Sequence, residues 1–162
     1  MTISPPEAQL ELALLDSKSM NFDRVDVFTK LINLGIPQEI VFRLEELWEE
    51  TKTFGKKVIH VGRIVVLEII QFIEDNHNLA IGVAIGAAVG ALVGLIPYLG
   101  PLLAPLTTAI GAIFFGLAGS RLDRGHKNGQ GTIGIAQDII VLAEKFFKFL
   151  AAIFNALQES YG

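Results

Sequence analysis

The sequence predicts an all-α protein built around an integral membrane helical hairpin flanked by amphipathic helices. Three observations carry that expectation. From Asn78 to Ser120, 43 consecutive residues hold no ionisable group except the Tyr98 hydroxyl. Pro97, Gly100 and Pro101 divide this block almost at its centre. On both sides of it, apolar residues recur every three or four positions, the period of a helix. Composition agrees: charged residues are 19% of the chain, against about a quarter in soluble domains.

The 162 residues amount to one domain by length. Five segments follow from the pattern: a cytosolic N-terminal helical region over 1–53, an amphipathic helix over 54–77, the hairpin over 78–120, a basic Gly-rich loop over 121–134 and a C-terminal amphipathic helix over 135–162. The start, MTISPPEAQL, has no basic region leading into an apolar core, so it does not read as a secretory signal. Pro5 and Pro6 open a helix. A second helix, from about Phe22 to Leu34, has Phe22, Val25, Phe28 or Thr29, and Ile32 on its expected inner face. Asn33, Leu34 and Gly35 stop it, and Pro37 opens the next. That third helix places Ile40, Val41, Leu44, Leu47 and Trp48 inward and Glu45, Glu46, Glu49 and Glu50 outward.

From Lys56 the pattern restarts around a narrow polar stripe of His60, Arg63, Gln71 and Glu74. Its β-branched residues suit a strand, but the polar residues do not alternate, so a helix is expected. No proline separates it from Leu79, so it is expected to run on into the membrane.

The block itself divides into arms of 19 residues, 78–96 and 102–120. Each would be about 28 Å long, close to a bilayer's hydrocarbon core of about 30 Å. Gly82, Gly86, Gly90 and Gly94 mark one face of the first arm. Ala104, Thr108, Ala112, Gly116 and Ser120 mark one face of the second. In lipid, small residues let helix backbones approach closely. The two ladders are therefore expected to be packing seams, either closing the hairpin or joining neighbouring subunits of a homo-oligomer. Lys56, Lys57 and Arg63 before the hairpin, and Arg121, Arg124 and Lys127 after it, place both termini in the cytoplasm by the positive-inside rule. In the last helix, Phe146, Phe147, Phe149 and Phe154 are candidates for anchoring at the membrane interface.

Chemistry is sparse. There is no cysteine. His60, His77 and His126 have no partner at metal-ligand spacing, and GHKNGQGTIG is not a phosphate loop. No catalytic constellation, cofactor or metal site is expected, and a net charge of −4 without a basic stripe argues against nucleic acid. If water or ions pass, the stripe His60, Arg63, Gln71 and Glu74 is the expected lining. The partners expected are the lipid bilayer, further copies of the chain and, through residues 22–53, a cytosolic protein.

Three partial resemblances accompany this reading. IPYLGPLLAP resembles the segment at a membrane hairpin in the AI-2E family of transporters. The charge-free hairpin between amphipathic helices is similar to the pore-forming domains of colicins, which implies a hairpin hidden in a bundle until it meets a membrane. The order of amphipathic helix, two spans and amphipathic helix, with PLLAP opening the second span, resembles thylakoid curvature proteins with the CAAD domain. The paired small-residue ladders and the two wide-faced amphipathic helices, with no catalytic constellation, point to a self-associating pore or membrane-perturbing assembly. The alternative is a non-conducting scaffold that shapes membrane, or an anchor for a cytosolic partner.

Overall fold

The computed structural model describes residues 2–115 and 129–161, apart from the side chains of 115 and 129–136. Helices dominate it. They are α1 (Pro5–Ser19), α2 (Arg24–Asn33), α3 (Gln38–Trp48), α4 (Val61–Asp75), α5 (Ile81–Leu95), α6 (Gly100–Ile110) and α7 (Gly129–Tyr161). One small antiparallel hairpin joins α3 to α4, with β1 (Lys52–Phe54) paired to β2 (Lys57–Ile59). The all-α expectation therefore holds apart from six residues of strand.

Those six residues correct the reading of the segment over 54–77. Phe54 pairs with Lys57, which leaves a two-residue turn of Gly55 and Lys56. Gly55 has φ +64° and Lys56 does not share the positive φ, the pattern of a turn with glycine at its first central position. The β-branched Val58 and Ile59 sit in strand, and the helix begins only at Val61.

A second correction concerns α4 and α5, which are separate helices. The chain breaks at Asn76, whose backbone leaves the helical region (φ −126°, ψ 44°) and whose side-chain amide caps the Phe72 carbonyl at 2.9 Å. The chain then folds back, and α5 packs against α4. The first arm is also shorter than expected, and the second lies partly outside the described residues. α5 has 15 residues, and α6 has 11 followed by a five-residue π-helical turn, Gly111–Phe115. Pro105 lies inside α6 and cannot donate to Pro101, and Thr107 Oγ1 donates back to the Leu103 carbonyl at 3.0 Å. The regular helix is interrupted accordingly.

α2 turns a different face inward. Val27, Phe28 and Leu31 are buried, whereas Phe22, Val25 and Ile32 lie exposed. The two candidate stripes share Phe28. The choice follows the partner helix: the Phe28 ring meets the edge of Trp48 on α3, with centroids 5.7 Å apart. α3 itself buries Ile40, Val41, Leu44, Leu47 and Trp48, as its spacing predicts. α7 begins at Gly129, six residues before the expected start.

The core is continuous from α1 to α7. α5 lies at its centre, packed on α4, α6 and, most extensively, α7. α1 covers α7 and α4, and α3 covers α4 and α6. Gly62 allows the α3–α4 crossing: a Cβ there would lie 1.6 Å from the Leu47 carbonyl oxygen. Its own amide donates to the Glu50 carbonyl at 3.0 Å.

Candidate functional site

The least polar part of the fold is the hairpin of α5 and α6, the segment expected from sequence to meet a membrane. The two helices run antiparallel from the turn at Pro97–Leu99, and the Phe114 ring reaches back over Gly82 at the start of α5. α5 buries Ala84, Ile85, Ala88, Val89 and Leu92. α6 buries Leu103, Leu106, Ala109 and Ile110. One segment, Pro97–Phe114, is long and apolar enough to cross a membrane by length and composition, and only 28% of it is buried within the chain. α5, at about 22 Å, falls short of a bilayer's core.

The small-residue ladders largely face outward. Gly86 is half-buried, and Gly90 and Gly94 have nothing within 4 Å of where a Cβ would stand. Gly82 alone of the four lies close under another side chain, that of Phe114. On α6, Ala104, Thr108 and Ala112 are exposed, while Gly116 and Ser120 lie outside the described residues. Contact between α5 and α6 thus bypasses Gly90 and Gly94. Of the turn residues, Pro97 and Pro101 are exposed and Gly100 is half-buried.

The turn is tied down by polar groups. Tyr98 donates its hydroxyl to the Phe154 carbonyl at 2.8 Å, and Asn155 Nδ2 donates to the Leu95 carbonyl at 2.9 Å. Lys52 Nζ stands 5.1 Å from the Tyr98 ring centroid and 5.5 Å from that of Phe54. Phe54 in turn stacks on Phe154 at 6.4 Å. The β-hairpin, the turn and the end of α7 therefore form one layer. Tyr161 completes it, meeting Gln9 through its hydroxyl and Gly55 through its ring.

The polar stripe on α4 is distributed among neighbouring helices. Asp16 of α1 accepts from the His60 amide at 2.8 Å, and its Oδ1 lies 3.1 Å from His60 Nδ1. Arg63 lies over Trp48 at 5.3 Å and reaches Met20 Sδ. Gln71 donates to Asp75 at 2.8 Å, and Glu74 pairs with Lys30 at 3.0 Å. His60, Arg63 and Glu74 thereby fasten α1, α3 and α2 to α4, while the Gln71 bond stays within α4. Between α1, α2 and α4 lies a cavity of about 150 Å³ holding Lys18, Glu68 and Gln71. Burial pushes the Glu68 carboxyl above the usual carboxylate range, with Lys18 acting against it.

The α7 phenylalanines divide. Phe147 and Phe154 are fully buried, Phe146 is half-buried and Phe149 is exposed. Phe72 holds Phe146 and Phe147 at 5.4 and 5.7 Å. Among the described residues, no three of His, Cys, Asp or Glu gather as a metal site would require.

The residues that hold the turn escaped the sequence reading. Asn155 is not singled out there, and Tyr98 is named only as the lone ionisable group of the uncharged block. A single amide inside a wide apolar face is the signal that points to a specific acceptor. Fold and site together define a class: a helical bundle that wraps amphipathic helices around an uncharged hairpin. Comparison with protein-family models, curated proteins and solved structures finds no match to this chain.

Proposed function

We propose that this protein is a membrane-active helical bundle. Its hairpin over 78–120 enters a lipid bilayer as two spans with both termini on the cytoplasmic side, and copies associate there into an assembly that perforates or perturbs the membrane. The observation that carries this reading is the outward, uncharged small-residue surface of α5 and α6. Gly90, Gly94, Ala104, Thr108 and Ala112 are open on the closed bundle and suited to close helix contact in lipid.

The open space makes the test clean. A Cβ at Gly90 or Gly94 meets nothing within 4 Å, so Gly90→Leu with Gly94→Leu is expected to leave the bundle folded. The expected result is loss of dye release from vesicles and a smaller particle in lipid nanodiscs, with an unchanged helical spectrum. Wild-type protein that neither releases dye nor rises above a monomer in lipid would sink the proposal.

A second reading has its own observation. Phe22, Val25 and Ile32 of the α2 region and Phe42 of α3 are exposed, at 42%, 69%, 62% and 51%. They give residues 22–53 an apolar surface for a cytosolic protein, with the hairpin serving as its anchor. Sealed vesicles carrying bound protein would favour that anchor, or the membrane-shaping scaffold, over a pore.

A further inference from the structure

We infer that Tyr98 and Asn155 form a clasp that sets how readily the hairpin leaves the bundle. The inference rests on the membrane-inserting reading above and concerns its control.

The need for a clasp begins at Leu95. In a continuous helix its carbonyl would accept from the Leu99 amide, but that amide bonds to Ile96 at 2.9 Å. Pro97 has no amide to offer. The Leu95 carbonyl is therefore one of the orphan acceptors at a helix end, and Asn155 supplies its donor across the interface. Three residues further on, the Tyr98 hydroxyl crosses the same interface in the opposite sense, donating from the hairpin to the Phe154 carbonyl of α7. The two bonds bracket the turn on both sides of Pro97. They attach it to adjacent positions of α7, Phe154 and Asn155, while Lys52 covers the Tyr98 ring from outside.

Elsewhere α5 meets its neighbours through alanine, valine, isoleucine and leucine, whose contacts are non-directional. Such contacts are replaceable by lipid chains of equal apolarity. A carbonyl and an amide are not: in hydrocarbon each must keep a hydrogen-bond partner. The clasp is thus the part of the α5–α7 interface that a bilayer does not compensate. Opening it exchanges two protein bonds for bonds to water or headgroups, which ties release of the turn to a polar interface.

Two conservative variants and one tether test this in the full chain. Tyr98→Phe removes only the hydroxyl, and Asn155→Leu keeps the volume and removes the donor. Losing one bond of ordinary net strength multiplies the open population about fivefold. Amide exchange at Ile96 and Leu99 is expected to quicken by about that factor in each variant. Dye release from phosphatidylcholine–phosphatidylglycerol vesicles is expected to accelerate in step, while the thermal midpoint falls by about 2–4 °C. Because the chain has no native cysteine, Leu95→Cys with Asn155→Cys can be joined by a short cleavable bis-maleimide. The tethered protein is expected to release no dye until the linker is cut.

Faster exchange with unchanged dye release, or full release from the tethered protein, would overturn the clasp and leave the membrane reading standing. Wild-type protein inert towards vesicles would remove the membrane reading. In that case unchanged exchange in both variants would remove the clasp as well, and fivefold faster exchange would keep it as a restraint on the turn.

Discussion

Gln158 is the residue whose environment least suits it. Its Oε1 is buried on α7 without a hydrogen-bond partner, one turn beyond the Asn155 that is fully employed. An unpaired buried acceptor costs about 1–3 kcal/mol. Gln158→Met keeps the shape and is expected to raise the thermal midpoint by roughly 2–4 °C, read by calorimetry. Glu68 gives a pH-dependent case. Its carboxyl is held above the ordinary value near 4.3 by burial, so the folded chain binds its proton more tightly than the unfolded chain. Stability from this group is full below the ordinary carboxylate range and is lost as pH rises through the raised value. Glu68→Gln is expected to stabilise the protein at about pH 7 and to make no difference near pH 4, and melts at the two pH values decide it. Neither position was legible in the sequence. Whether a glutamate on an amphipathic helix meets water or a cavity wall depends on which helix crosses it, here α1.

At the scale of elements, periodicity identified helices well and chose their faces less well. α3 has one apolar stripe and buries it. α2 has two that share Phe28, and contact with Trp48 selected the one containing Val27 and Leu31. Leu31→Ala, at a fully buried position, is expected to cost about 2–5 kcal/mol in a denaturant titration. Val25→Asp, on the exposed stripe, is expected to stay within about 0.5 kcal/mol. The β-hairpin was missed because its strands are three residues long, too short for alternation to show against the helical pattern that follows. Gly55 was visible as a joint, yet its role as the turn needed the pairing of Phe54 with Lys57. Glycines also sort by element. Gly62→Ala would drive a methyl group into the Leu47 carbonyl and is expected to prevent folding or strip several degrees from the midpoint. Gly90→Ala meets nothing and is expected to stabilise the closed bundle by up to about 1 kcal/mol through helix propensity. Sequence spacing singled out the four-glycine ladder and passed over Gly62, because close approach between α3 and α4 is a property of their crossing.

For the whole molecule, the uncharged block was plain from composition, and the fold places its first half at the centre of the core. The clasp was not legible, because Leu95 and Asn155 lie 60 residues apart and meet only once α7 lies along α5. The amphipathic segments foretold that apolar faces would be covered, and α4 and α7 do this for α5. The outer side of α6 remains uncovered, and its ladder has a counterpart in the open glycines of α5. Glycine and alanine project almost nothing beyond the helix backbone. Water can therefore reach the peptide carbonyls along such a strip and lend them further hydrogen bonds. In lipid the same carbonyls are satisfied within the helix, and the strip presents a smooth, narrow surface to another backbone. On the membrane-active function proposed above, one stretch of chain would be hydrated outside a bilayer and adhesive within it, the surrounding solvent alone determining which property it shows.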